Sequence, residues 1–270
     1  MLLFYDLVPR AGGPTFSPAT TPVRLALLHK GISFEVVELT YKQLRLDGWG
    51  DKAGRDNEGT ATVRLKGRAT VPFIQREDGS FIRDSTTIIK WLDKEYPDKP
   101  CIFLPDAPLP VDTASQGYLS AVDHAVELRR TLFSRDAYIA LFMLYAPKMT
   151  AMMEKDDSDN DYDYFTSDER LGDGFWKTCL DADPGAHFSS PRIDAILSSP
   201  PGRQFLASST TPGYDDFSVM GVVRMLAGTS AENYARTFGR GKVGEWVQKM
   251  NERFADGEGG MRAVTQKDPK

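Results

Sequence analysis

The sequence is poor in the residues that carry redox and metal chemistry. It holds two cysteines and three histidines among 270 residues. Cys101 and Cys179 are too few for a disulfide framework, and a reducing compartment is the simpler expectation. No Cys-x-x-Cys occurs, which argues against thioredoxin-type dithiol exchange. His29, His124 and His187 are scattered without ligand spacing, so no metal is expected. Positive charge is also scarce: the formal net charge is −5. That argues against a nucleic-acid partner and gives no attraction to anionic membranes. Apolar runs are short. The longest, residues 138–147, falls far below the ~20 residues of a spanning helix. The first residues, Met1 to Asp6, lack a basic region and meet an acid at once, unlike a secretory signal. The expectation is a soluble, cytoplasmic protein.

What is present is globular: 41% apolar and 26% charged residues, in a length that suits roughly two domains. Residues 2–6 form a short apolar run that reads as a strand. Residues 7–21 hold three prolines and two glycines and read as a loop. Residues 23–30 have helical spacing, with Gly31 in the stop position. Residues 33–39 are a second strand, and the β-α-β connection makes the two strands parallel neighbours. Residues 41–69 are charged and Gly-rich, with room for one short helix. Residues 71–76 and 80–83 are strands joined by a turn with the Asp78-Gly79 signal. Asp84-Ser85 then caps a helix over 86–96, and Pro97 ends it.

The order β-α-β, short helix, β-β-α predicts a thioredoxin-like α/β domain over residues 1–98. A proline-rich linker over 99–116 follows, then an all-α domain over 117–254. Helices are expected over 118–132, 137–153, 165–180, 193–206, 215–226 and 231–254. The acidic run 154–163 reads as a solvated loop, and 255–270 as a flexible tail.

Three features carry chemistry. Thr70-Val71-Pro72 opens a strand at a proline that donates no ladder bond. An ordinary strand start accounts for it. Were the Val71-Pro72 bond cis, the Val71 N–H and C=O would also turn outward and pair with an extended peptide. Asp84-Ser85 is a helix cap, and a cap also presents N–H groups and a hydroxyl at a positive helix end, which suits a bound carboxylate. Asp84 can meet an ammonium group. Ser17-Pro18-Ala19-Thr20-Thr21-Pro22 lies between the first strand and the first helix. It reads as a plain hydroxyl turn, or as a donor that stabilises a thiolate and lowers a thiol pKa from about 8.5.

In this order and spacing, these features resemble the glutathione S-transferases over nearly the whole chain. Phe16-Ser17-Pro18 and the helix from Arg24 to Ile32 resemble the catalytic-serine loop of the fungal branch related to bacterial β-etherases. Thr70-Val71-Pro72-Phe73-Ile74 is similar to the family's cis-proline motif. Asp84-Ser85 with Trp91 to Pro97 is similar to its γ-glutamyl turn and third helix. Residues 164–172 resemble a segment of that branch's helical domain, and Pro212 to Phe217 the helical-domain capping motif.

The resemblance implies glutathione as co-substrate and a homodimer. It implies that Ser17 bonds the glutathione sulfur and that Val71, before Pro72, pairs with the cysteinyl backbone. Asp84 and Ser85 would hold the γ-glutamyl end, and one of Lys42, Lys52, Arg55, Lys66 or Arg68 the glycyl carboxylate. Two positions depart from the pattern. With Ser17 as helix cap, the Pro22 ring would clash with the carbonyl of residue 18. A helix starting at Pro22 with Thr21 as cap costs less, and it leaves Thr20 or Thr21 as alternative sulfur contacts. Gly213 stands where the capping motif has Ser or Thr. Tyr5 reads as core, and Gly239 to Gly244 as a helix break, since no strand precedes that glycine pattern.

The function expected is attack of the glutathione thiolate on a small hydrophobic electrophile, by conjugation or aryl-ether cleavage, in detoxification or secondary metabolism. The second substrate would lie between the domains, against Val8 and Phe16. The alternatives are a pathway-specific glutathione-dependent isomerase or lyase, and a non-enzymatic binder of glutathione or a hydrophobic ligand.

Overall fold

The computed structural model describes residues 1–10, 15, 17–53, 69–132, 135–153, 155, 160–181, 191–198 and 202–254. Phe16, Arg55, Lys66, Arg68, His187, residues 11–14, most of 154–159 and the tail 255–270 lie outside them.

The first strand, β1 (Leu2–Leu7), is the most apolar and takes the middle of the sheet. The α1 helix (Thr21–His29) carries the chain to β2 (Phe34–Leu39), which pairs parallel with β1. The helix ends as the Gly31 signal predicts. Gly31 has φ 61°, and its N–H bonds the Leu28 carbonyl while that of Ile32 bonds Leu27. Two short helices, α2 (Tyr41–Leu46) and α3 (Trp49–Lys52), occupy the stretch read as holding one. Then β3 (Phe73–Gln75) and β4 (Phe81–Arg83) form the hairpin around Gly79, and α4 (Ser85–Glu95) follows. The order β2-β1-β3-β4, with β3 antiparallel to both neighbours, is thioredoxin-like. Phe4, Leu25, Leu27, Ile74, Ile88 and Leu92 are fully buried between the sheet and its helices.

Beyond Arg83 the described residues contain no strand. The helices are α5 (Gln116–Leu132), α6 (Arg135–Thr150), α7 (Asp161–Thr166), α8 (Asp168–Leu171), α9 (Phe175–Asp181), α10 (Pro191–Ser198), α11 (Tyr214–Thr229), α12 (Ala231–Phe238) and α13 (Gly241–Arg253). None is long and apolar enough to cross a membrane. The architecture is therefore a thioredoxin-like domain with a mixed four-stranded sheet, followed by a helical C-terminal region.

Several long helices read from periodicity are broken. The one over 165–180 is three pieces: Ser167 caps α8 by accepting from the Arg170 N–H, and Gly172 and Gly174 take φ 95° and 67°. The one over 231–254 breaks at Gly239-Arg240. The one over 193–206 begins at Pro191 and ends at Ser198, and residues 203–206 are not helical. The acidic run is not wholly solvated. Asn160 caps α7, and Asp161 is buried with its carboxylate 3.8 Å from Arg45 of α2.

Two buried acids join the layers. Asp93 of α4 pairs with Lys30 at 2.9 Å, both side chains fully buried. It also accepts from the Ile102 and Phe103 amides and the Tyr118 hydroxyl, so α1, α4, the 101–103 segment and α5 share one carboxylate. Asp216 accepts from the amides of Leu206, Ala207 and Gly213 and from the Trp246 indole, all within 3.0 Å. Four donors offset part of the cost of burying this charge.

Candidate functional site

Sheet register assembles the site. Tyr5 pairs with Phe73, and Phe73 with Arg83. Continued past Phe73, the two registers bring the end of β1, Val71-Pro72 and Asp84-Ser85 to one edge. The Ser17 loop leaves β1 at that same edge. Five residues far apart in sequence, Ser17, Val71, Pro72, Asp84 and Ser85, therefore share one end of the sheet. Phe16, Arg55, Lys66 and Arg68 cannot be placed, since they lie outside the described residues.

At Ser17 the chain makes one tight turn before the regular helix. The Ser17 carbonyl accepts from the Thr21 N–H at 3.4 Å. It also accepts from the Thr20 and Thr21 hydroxyls at 3.1 and 3.3 Å. A carbonyl oxygen only accepts, so both threonines spend their protons there. The Ser17 Oγ accepts from the Ala19 N–H at 3.3 Å and makes no hydrogen bond as a donor among the described residues. Pro22 sits in the first turn of α1, where its missing N–H costs nothing. The helix starts at Thr21 after Thr20, one residue earlier than the sequence suggests.

The Val71-Pro72 peptide is cis. Pro72 is buried, and β3 begins just after it at Phe73. No hydrogen bond to the Val71 N–H or C=O occurs among the described residues.

Asp84 alone caps α4; Ser85 is already its first helical residue. The Asp84 carboxylate accepts from the Thr87 N–H at 2.9 Å and is otherwise exposed. Its backbone has φ 69° and ψ 126°, strained for a residue with a Cβ. Such geometry costs of order 1–3 kcal/mol and concentrates at functional sites. Ser85 is buried, and its hydroxyl has no partner among the described residues. Thr86 bonds the Tyr214 hydroxyl at 2.9 Å, which ties this turn to α11.

Of the basic residues, Lys42 and Lys52 are described, and Lys52 rests over the Trp49 ring. Tyr5 is core. It stacks on Phe73 at 4.4 Å and donates to Gln75, and burial raises its pKa. No group of His, Cys, Asp and Glu among the described residues can hold a metal.

Sequence reasoning missed the support behind this edge. Arg24 pairs with Asp6 at 2.9 Å, nearly dry, and fixes α1 to the end of β1. Arg224 of α11 is buried nearby. Its pKa is pulled down to about 10, mostly by burial and then by Arg24. No spacing rule links positions 6, 24 and 224.

Comparisons with known proteins bear on the fold. Residues 13–100 match the family model "Glutathione S-transferase, N-terminal domain". The fold is that of the glutathione transferases. A Ceriporiopsis subvermispora glutathione S-transferase crystallised with glutathione is 18% identical, with TM-score 0.70 over 94% of this chain and 98% of that one. A second from the same fungus, also with glutathione, is 20% identical, with TM-score 0.65 over 93% and 96%. Glutathione transferase GSTFuA3 from Phanerochaete chrysosporium is 17% identical, with TM-score 0.64 over 93% and 95%. At these identities the likeness shows the fold alone. No curated protein matches the sequence.

Proposed function

We propose that the protein is a glutathione transferase that binds glutathione along the edge formed by Ser17, Val71, Pro72, Asp84 and Ser85. One observation carries the reading. Thr20 and Thr21 commit their hydroxyl protons to the Ser17 carbonyl, whereas the Ser17 hydroxyl donates to no group among the described residues. Ser17 is then the group with a proton to offer a sulfur at the helix entrance. A donor there, together with the positive end of α1, favours thiolate over thiol.

The Val71 N–H and C=O, both unpaired among the described residues, suit the cysteinyl backbone as an added strand would. The amides of the first turn of α4 and the Ser85 hydroxyl suit the γ-glutamyl carboxylate, and the free Asp84 oxygen its ammonium group. Lys42 and Lys52 stand on the segment assigned to the glycyl carboxylate. The thiolate then attacks an electrophilic carbon. A carbon–sulfur bond forms, and either the electron pair leaves with an aryl-oxide or halide, or the adduct takes up a proton. Positioning and thiol pKa lowering supply the catalysis. The acceptor is a small hydrophobic electrophile. The fungal β-etherase-related branch, a homodimer and a cytoplasmic location complete the reading.

The test is conjugation of chlorodinitrobenzene together with ultraviolet titration of the bound thiol. Ser17→Ala lowers kcat/KM by roughly 10²-fold, the scale of losing one preorganised donor, and raises the pKa of bound glutathione. Thr20→Val leaves both close to wild type. Activity that survives Ser17→Ala removes Ser17 from its role. Glutathione binding without turnover of any electrophile points to a binder.

A further inference from the structure

We infer that a cavity in the helical region is a second binding site, for a small and mostly apolar molecule that carries an amine, with Asp215 as the amine's partner. The cavity has a volume of about 760 Å³ and lies between α5, α10, the 103–106 segment and the start of α11. That is the size of an ordinary small-molecule site. Its walls are largely apolar, with Phe103, Ala121, Leu128, Ile196, Leu206 and Tyr214 among them. None of Ser17, Val71, Asp84 and Ser85 lines it, so the inference stands or falls apart from the glutathione reading.

The decisive group is Asp215. It lines the cavity, is 8% exposed, and its carboxylate has no hydrogen bond or ion pair among the described residues. An acid in the first turn of a helix ordinarily has amides to accept from. Here its neighbour Asp216 takes the Gly213, Leu206 and Ala207 amides and the Trp246 indole. Arg203, also on the cavity wall, donates through Nε and Nη2 to the Phe205 and Leu206 carbonyls, and its charge acts on Asp215 without forming an ion pair with it. A buried carboxylate left without a donor is costly, and a ligand ammonium supplies both donor and charge.

The rest of the wall carries aromatic rings and charges of both signs. Phe103 and Tyr214, stacked on each other at 4.7 Å, both line the cavity, and aromatic rings attract a nearby cation. Asp106 adds a second acid at the exposed rim, where His124 also stands. Burial and then Asp216 raise the Asp215 pKa to about 6, with His124 and Arg203 opposing. The carboxylate is therefore mostly ionised at neutral pH.

The test uses the full chain and two fluorescent probes of similar size: dansylcadaverine, an aromatic with a protonated amine, and anilinonaphthalene sulfonate, an aromatic anion. The full-length protein binds dansylcadaverine saturably at one site. Asp215→Asn weakens it about tenfold or more, the scale of one desolvated charge pair, without weakening the sulfonate. Ala121→Trp keeps the acid but fills the cavity, and abolishes dansylcadaverine binding. It also decides the matter if Asp215→Asn does not fold. Absence of saturable dansylcadaverine binding, or equal affinity in all three proteins, overturns the inference.

Discussion

Gly221 lies against the carbonyl of Pro18: a Cβ on Gly221 would stand 2.3 Å from the Pro18 oxygen. In a continuous helix that carbonyl would accept from the amide of residue 22, but residue 22 is proline and has none. The bare backbone of α11 closes over it instead. The turn that carries Ser17 is thus held from the helical region. Gly221→Ala forces the two apart, at roughly 1–3 kcal/mol for an overpacked contact. Because the displaced element is the Ser17 turn, the proposed function predicts that glutathione affinity falls as well. Chemical denaturation with glutathione titration checks both; a variant as stable and as tight-binding as wild type refutes the contact.

Gly213 resolves a departure from the family pattern. A Cβ there would come within 2.6 Å of Pro105, 2.7 Å of the Ile102 carbonyl and 2.8 Å of Ala207. The Tyr214 amide meanwhile bonds that same Ile102 carbonyl. Serine is the better cap by a few tenths of a kcal/mol, but overpacking costs about 1–3 kcal/mol. Gly213→Ser therefore lowers Tm, against the preference of helix caps. A raised Tm would show that the segment 102–105 yields.

Two groups pull acid stability in opposite directions. His29, wedged between Phe217 and Phe254, has its pKa lowered from 6.5 to about 4, chiefly by burial. The unfolded chain takes up its proton first, so stability is lost as pH falls from about 6.5 to 4. Asp215 is raised from 3.8 to about 6. The folded chain takes up that proton first, so stability is gained as pH falls from about 6 to 3.8. Buried Asp216, also raised, has the same sign as Asp215. The His29 and Asp215 terms are each about 3 kcal/mol and nearly cancel. Relative to wild type, His29→Leu gains stability on acidification and Asp215→Asn loses it. Melting curves between pH 4 and 7 test this, and parallel profiles would contradict it.

Neither cysteine is a working nucleophile. Cys101 is 1% exposed. Burial and then Asp93 push its thiol up to about 12, and burial also raises Cys179. The native protein should resist iodoacetamide at mildly alkaline pH while the denatured chain reacts at both positions. Rapid labelling of the folded protein would contradict this.

Much of the thioredoxin-like half is legible because its signals are local. The Asp78-Gly79 turn, the Gly31 stop, Pro72 at a strand start and Asp84 before a helix each act within a few residues. Their order specifies the sheet, and its register then draws Val71 and Ser85 together. The helical half is less legible. Periodicity reports a buried face but not a break, so Ser167, Gly172 and Gly239 were hidden inside apparently continuous helices. The acid at 161 looked like part of a solvated run because Arg45, its partner, lies more than a hundred residues away.

By itself the sequence determined the chain order of the four strands, the proline at a strand entry and the Asp84 cap, since each rests on short-range backbone chemistry. Only the tertiary structure decided which hydroxyl at the helix entrance keeps a proton to give among the described residues, why positions 213 and 221 are glycine, and that Asp215 lines a cavity with no hydrogen bond among those residues. Those outcomes depend on distances between segments far apart in the chain, and packing alone sets them.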